Sequence, residues 1–209
     1  MKRYRIFTIY QICLLIIFSI GCAHIEAPVK RLDALNWTEK EYYDSEQEWE
    51  NTPPGIVEVL IVEVGPGWGA FGHAGIHIGK YAYSWDYDKD YVLVKQPFKS
   101  FLYTYTKIHN RSVTGIAISF PEEAIKRLVA NLDEEYRKTW NEGYSRGSIF
   151  LVNNCSTLVY KELIKASGVK PKNWPPTLIP DWMGKNVERT FPLQHYNLYW
   201  KADPTKGGR

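Results

Sequence analysis

Thiols are scarce in this chain, and so is net charge. Three cysteines occur in 209 residues (Cys13, Cys22 and Cys155), too few for a disulfide framework. Basic residues number 26 and acidic ones 23. Lys2, Arg3 and Arg5 fall within the first 21 residues and no acid does, so the rest of the chain balances at 23 of each. A balanced chain lacks the electrostatic footprint of a nucleic-acid binder, and none is expected as a partner. Internal repeats and low-complexity tracts are absent too, which excludes a solenoid. With 44% hydrophobic and 15% aromatic residues, the chain is instead suited to a packed domain.

The apolar run from Ile6 to Ile20 is shorter than the roughly 20 residues that span a bilayer, and it follows three cations. It reads as a signal peptide over residues 1–21. The run ends in "FSIGC", which resembles a bacterial lipobox with Cys22 as the lipid-bearing residue. Ser19 stands where that motif has Leu, and Ser19 with Gly21 also satisfies ordinary signal cleavage. The expectation is a lipid-anchored envelope protein facing the periplasm, and, if the cell is Gram-negative, Ala23 after the cysteine gives an outer-membrane address. Residues 22–54 then form a tether, acidic and aromatic and closed by Pro53-Pro54-Gly55. Residues 55–200 form one domain and 201–209 a tail. Cys13 leaves with the leader and Cys22 carries lipid, so Cys155 is the one thiol left for chemistry.

Periodicity divides the domain into strands followed by helices, an α+β class with a mostly antiparallel sheet. "IVEVLIVEVG" reads as a strand, as do residues 73–78 and 81–87, "YVLVK" and "RSVTGIAISF". Pro121 opens a helix with Glu122 and Glu123 in its first turn, and Ile125, Leu128, Val129, Leu132 and Tyr136 share one face. A second helix starts at Cys155, with Asn153 or Asn154 as N-cap and Gly168 beyond its end. The proline- and tryptophan-rich remainder is expected to wrap the domain surface.

Gly79-Lys80 fits a two-residue type II′ hairpin. That turn pairs 78 with 81 and 76 with 83, and puts Asp86 opposite His73. One face then carries Ala74, Ile76, Ile78, Tyr81, Tyr83 and Trp85. The other carries His73, Gly75, His77, Ala82, Ser84 and Asp86. Facing β-carbons lie about 4.5–5.5 Å apart, so Asp86 would orient the His73 imidazole. A slip of one residue would move Asp86 to the wrong face. His73 and His77 are about 13 Å apart along a strand, too far to share a metal, and no metal or cofactor is expected. His77 reads as a supporting residue.

Cys155 opens its helix, where free N–H groups and the dipole favour thiolate. The same N–H groups, with an Asn153 or Asn154 side chain, could hold an oxyanion. An imidazole would take the thiol proton and return it to the leaving group. Cys155 also lies on a stripe with Leu158, Val159 and Ala166, which fits a buried spacer equally well. Trp68 and Phe71 in the glycine-rich loop are candidates to line a substrate cleft.

The runs "GPGWGAFGHAGIHIG", "NRSVTGIAISFPEEAIKRLVANL" and "FLVNNCSTLVYKEL" resemble the Lnb N-terminal periplasmic domain family of bacterial envelope proteins, over about residues 56–168. That resemblance implies a permuted papain-like, NlpC-type core in which the histidine strand precedes the cysteine helix. It maps the histidine onto His73 and the nucleophile onto Cys155; Asp86 is a choice from geometry alone. It implies a thiol-dependent amidase or peptidase acting on a peptide-like envelope substrate such as peptidoglycan stem peptides. Three alternatives stay open: the unpermuted order with His195 as base, acyl transfer on lipids, and a non-catalytic lipoprotein module for binding or assembly.

Overall fold

The computed structural model describes residues 51–65, 72–86, 92–145, 154–171 and 179–200. The leader, Cys22, most of the tether, the loop with Trp68 and Phe71, Asn153 and the tail lie outside the described residues. Six strands form one antiparallel sheet: β1 (Ile56–Val62), β2 (His73–Ile78), β3 (Tyr81–Asp86), β4 (Val92–Pro97), β5 (Val113–Ser119) and β6 (Leu193–Trp200). Their order across the sheet is β4-β3-β2-β1-β5-β6. The helices are α1 (Phe98–Leu102), α2 (Glu122–Glu142), α3 (Cys155–Ser167) and α4 (Pro180–Thr190), with a π-helical segment, Tyr103–Ile108, directly after α1. The α+β class and the antiparallel sheet follow the sequence pattern. No helix among the described residues is long and apolar enough to cross a membrane.

Both faces of the sheet are covered, which explains the near-continuous apolar character of β1. On one face Val57, Val59, Ile61, Ala74, Ile76, Tyr83, Trp85, Ile116 and Ile118 pack with Leu128 and Leu132 of α2, Leu158 and Leu163 of α3, and Met183 and Val187 of α4. On the other, Leu60, Val62, Ala82 and Val113 pack with Phe98, Phe101 and Leu102 of α1. Along β1 the residues alternate between the two cores, Val57, Val59 and Ile61 on one side and Leu60 and Val62 on the other, the period-two rule of the pleat. Helix α2 is pinned across β3 and β4 by polar contacts as well. The Trp85 indole donates to Glu135 at 2.7 Å, the Tyr83 hydroxyl donates to Asp133 at 3.0 Å, and Lys95 pairs with Asp133 at 2.7 Å.

The hairpin forms as its turn residues predict. Gly79 takes a positive φ of 57° while Lys80 does not, the pattern of a II′ turn. The pairs Ile78↔Tyr81, His77↔Ala82, Ile76↔Tyr83 and Gly75↔Ser84 follow. The C-terminal third departs from expectation. Residues 179–200 do not wrap the surface: α4 lays Met183 and Val187 into the core, and β6 pairs with β5 to extend the sheet. Pro180 explains the start of α4, since its fixed φ suits the first turn of a helix. The stretch 98–108 carried no sequence signal for helix, yet it forms the lid of the second face.

Candidate active site at the start of strand β2

Helix α3 begins as its sequence predicts. Asn154 is the N-cap, its side-chain oxygen accepting from the Thr157 amide at 2.9 Å while the Asn154 amide donates to the Thr157 hydroxyl at 2.9 Å. This capping box makes Asn154 the N-cap that its sequence position predicts. It also leaves Cys155 at the first helical position, with its sulfur against β2. The Ala74 amide, the Ser156 hydroxyl and the backbone amides of Ser156 and Cys155 all favour charge on the sulfur. The Ser156 hydroxyl lies 4.0 Å from it. Burial nevertheless outweighs these donors and pushes the thiol above its ordinary value of 9.0. The expected thiolate is therefore corrected: at rest Cys155 is a protonated thiol, because desolvation of the anion exceeds what the helix start supplies.

His73 is the first residue of β2, paired with Val62. Its ring stacks on Tyr105 of the π-helical segment, 5.1 Å between centroids and 22° between planes, and beyond it on Phe101 at 6.5 Å. Its Nε2 is buried without a hydrogen-bond partner. Burial first, then the Arg111 cation, lowers its pKa to about 3, so the imidazole is neutral at physiological pH. The sulfur and the ring reach the same strand end through different contacts: Cys155 packs with the core that holds Ala74, whereas the ring stacks on Tyr105. No hydrogen bond links Nε2 to the sulfur.

Asp86 does not take the position expected of it. The β2–β3 ladder stops at Gly75↔Ser84, two residues short of His73, so Asp86 is paired only along the other edge of β3, with Val92 of β4. Burial and Arg111, not Asp86, set the lowered His73 pKa. The carboxylate-oriented imidazole on this strand is His77. Its Nδ1 lies 2.7 Å from Oε2 of Glu58, the residue directly opposite on β1. Glu58 also accepts from Asn197 at 2.6 Å and from the Tyr199 hydroxyl at 2.7 and 2.8 Å. Phe98 stacks on the His77 ring at 3.6 Å, and His77 and Glu58 are 1% and 2% exposed, which seals this cluster from any substrate. The space it occupies is supplied by Gly115, where a β-carbon would fall 1.9 Å from a Glu58 oxygen.

Arg111 is the site residue that sequence reasoning missed. Asn110, with a φ of 46°, turns the chain from the π-helical segment into β5, and the Arg111 amide donates to the Tyr105 carbonyl at 2.9 Å. The guanidinium donates through Nε and Nη2 to the Glu63 carbonyl just past β1 and sits 5.8 Å from the Tyr105 ring centroid. There it acts electrostatically on His73, and Cys155 acts on it. The signal was present as an Arg directly before an apolar strand in "NRSVTGIAISF", but nothing local says that its charge turns inward. His195 pairs with Ala117 on β6, three strands or about 14 Å from β2, which removes it from the sulfur's neighbourhood. Among the described residues no three His, Cys, Asp or Glu side chains are placed to share a metal ion.

Chemically, the strand end combines a nucleophile type, a neutral base with an open nitrogen, a cation and a set of N–H donors. Comparisons with family models, curated proteins and solved structures gave no match.

Proposed function

We propose that the protein is a thiol-dependent acyl hydrolase with a papain-like, permuted core, acting on amides of a peptide-like cell-envelope component such as peptidoglycan stem peptides. The observation that carries this reading is the contact of the Cys155 sulfur with the Ala74 amide, one residue from His73, at the first position of a helix. Attack by sulfur on the amide carbon sends the thiol proton to His73 and forms a tetrahedral oxyanion that the Cys155 amide faces. Its collapse breaks the C–N bond and His73 gives the proton to the leaving amine. A water then cleaves the thioester, releasing the acid and restoring the thiol. The resting pair is neutral and unlinked, so substrate binding must bring ring and sulfur together, in line with hydrogen bonds that tighten only in the complex. Anchoring through a lipid on Cys22 and an envelope location belong to the same proposal, as does acyl transfer on lipids, which uses the same residues on a different substrate.

One observation favours a different class. A buried, protonated thiol with no bonded imidazole suits a non-catalytic module for binding or assembly. Cys155→Ser separates the two: the hydrolase loses its phenotype in complementation, whereas a binding module keeps it. Incubation with muropeptides and with phospholipids distinguishes the substrate classes by their products.

A further inference from the structure

We propose that Arg111 is the positioning residue that sets the charge state of the Cys155–His73 pair. It holds His73 as a neutral base at rest and favours the negative charge that forms on sulfur or oxyanion during acyl transfer. The inference rests on the hydrolase reading for its purpose, and on separate geometry for its substance.

The guanidinium is fixed from three sides. Two of its N–H groups hold the Glu63 carbonyl, the residue's own amide closes onto Tyr105, and the Tyr105 ring lies beneath the cation while stacking on His73. Gly65 leaves the room: a β-carbon there would lie 3.1 Å from Arg111 Nε. Arg111 is 8% exposed, so its field is little screened by water. A fixed cation against the ring that stacks on His73 disfavours a proton on the imidazole and favours charge on the thiol. The other titratable groups on the segments that meet at this strand end are Tyr105, stacked on His73, Glu63 past β1, Cys155 at the start of α3, Asp86 at the end of β3 and Asp181, next to the Pro180 that packs against Gly72. Besides burial, the His73 equilibrium registers Arg111 and not these.

The test is a titration of the histidine ring signals by NMR in the full chain, assigned with His73→Phe and compared across Arg111→Gln and Arg111→Lys. Gln keeps a donor for the Glu63 carbonyl and removes the charge; Lys keeps the charge. In the unaltered chain His73 is expected to titrate near pH 3. Arg111→Gln should raise that midpoint by about one unit or more, and Arg111→Lys should hold it near the original. An unmoved His73 in Arg111→Gln overturns the proposal. So does an equal shift in both variants, or an unaltered His73 titrating near 6.5, a result that stands even if neither variant folds. Turnover is not needed for any of these readings. Loss of acyl transfer with the expected titration sinks the hydrolase reading and leaves the Arg111 assignment in place.

Discussion

Two imidazoles stand four residues apart on one face of β2, and their surroundings could hardly differ more. His77 is bonded to a carboxylate that is itself held by Asn197 and Tyr199, under a stacked Phe98. His73 has a buried nitrogen with no partner, a cation nearby and a thiol at the same strand end. The first arrangement satisfies its polar atoms and locks three strands together. The second leaves one unsatisfied at a cost in stability, which is the pattern of a site kept for something else. A carboxylate partner therefore marks the structural histidine here, and its lack sets His73 apart.

The largest effect should come from breaking the satisfied cluster. Glu58→Ala removes the shared acceptor of buried His77 and half-buried Asn197 and Tyr199 and should lower stability by about 3 kcal/mol, read from urea midpoints. Gly115→Ala drives a β-carbon into the Glu58 carboxylate and should cost about 2 kcal/mol by the same assay.

Acid should act on the other histidine. Between pH 6.5 and about 3 the unfolded chain carries a proton on His73 that the folded chain excludes. Its contribution to stability is complete above that window and falls by about 1.4 kcal/mol for each unit of pH through it. His73→Phe should remove this slope. At pH 7 the same variant should gain about 1 kcal/mol, because an unpaired buried nitrogen is replaced by an apolar edge. His77→Phe should instead lose stability, since it takes one donor from the buried Glu58 carboxylate. If the two variants move stability the same way, the distinction between the histidines fails. The smallest change concerns the thiol: its alkylation rate should keep climbing as pH passes 9.0, the mark of a buried sulfur.

Much of this arrangement could be read from the residues. The II′ turn at Gly79 fixed the hairpin register, and with it the separation of His73 and His77 from the aliphatic face. Asn154 and Gly168 bounded α3 as capping chemistry requires. What escaped was long-range. Glu58 alternates with aliphatics and reads as solvent-facing; the residues that let it turn inward, Gly115, Asn197 and Tyr199, lie 57 to 141 positions away. Asp86 matched His73 by counting, but counting cannot show that the ladder ends early. Proline and tryptophan disguised α4 and β6 as wrapping, because their order depends on docking against the sheet and not on local periodicity.

The central claim is that Cys155 and His73 act together on an acyl group, and p-nitrophenyl acetate tests it without a natural substrate. The account predicts that the intact protein gains one acetyl group on Cys155 by mass spectrometry, with the thiol proton passing to His73 and p-nitrophenolate leaving, and that His73→Phe slows this at least tenfold. Acetylation of Cys155 at the same rate in both proteins, or none in either, would contradict it.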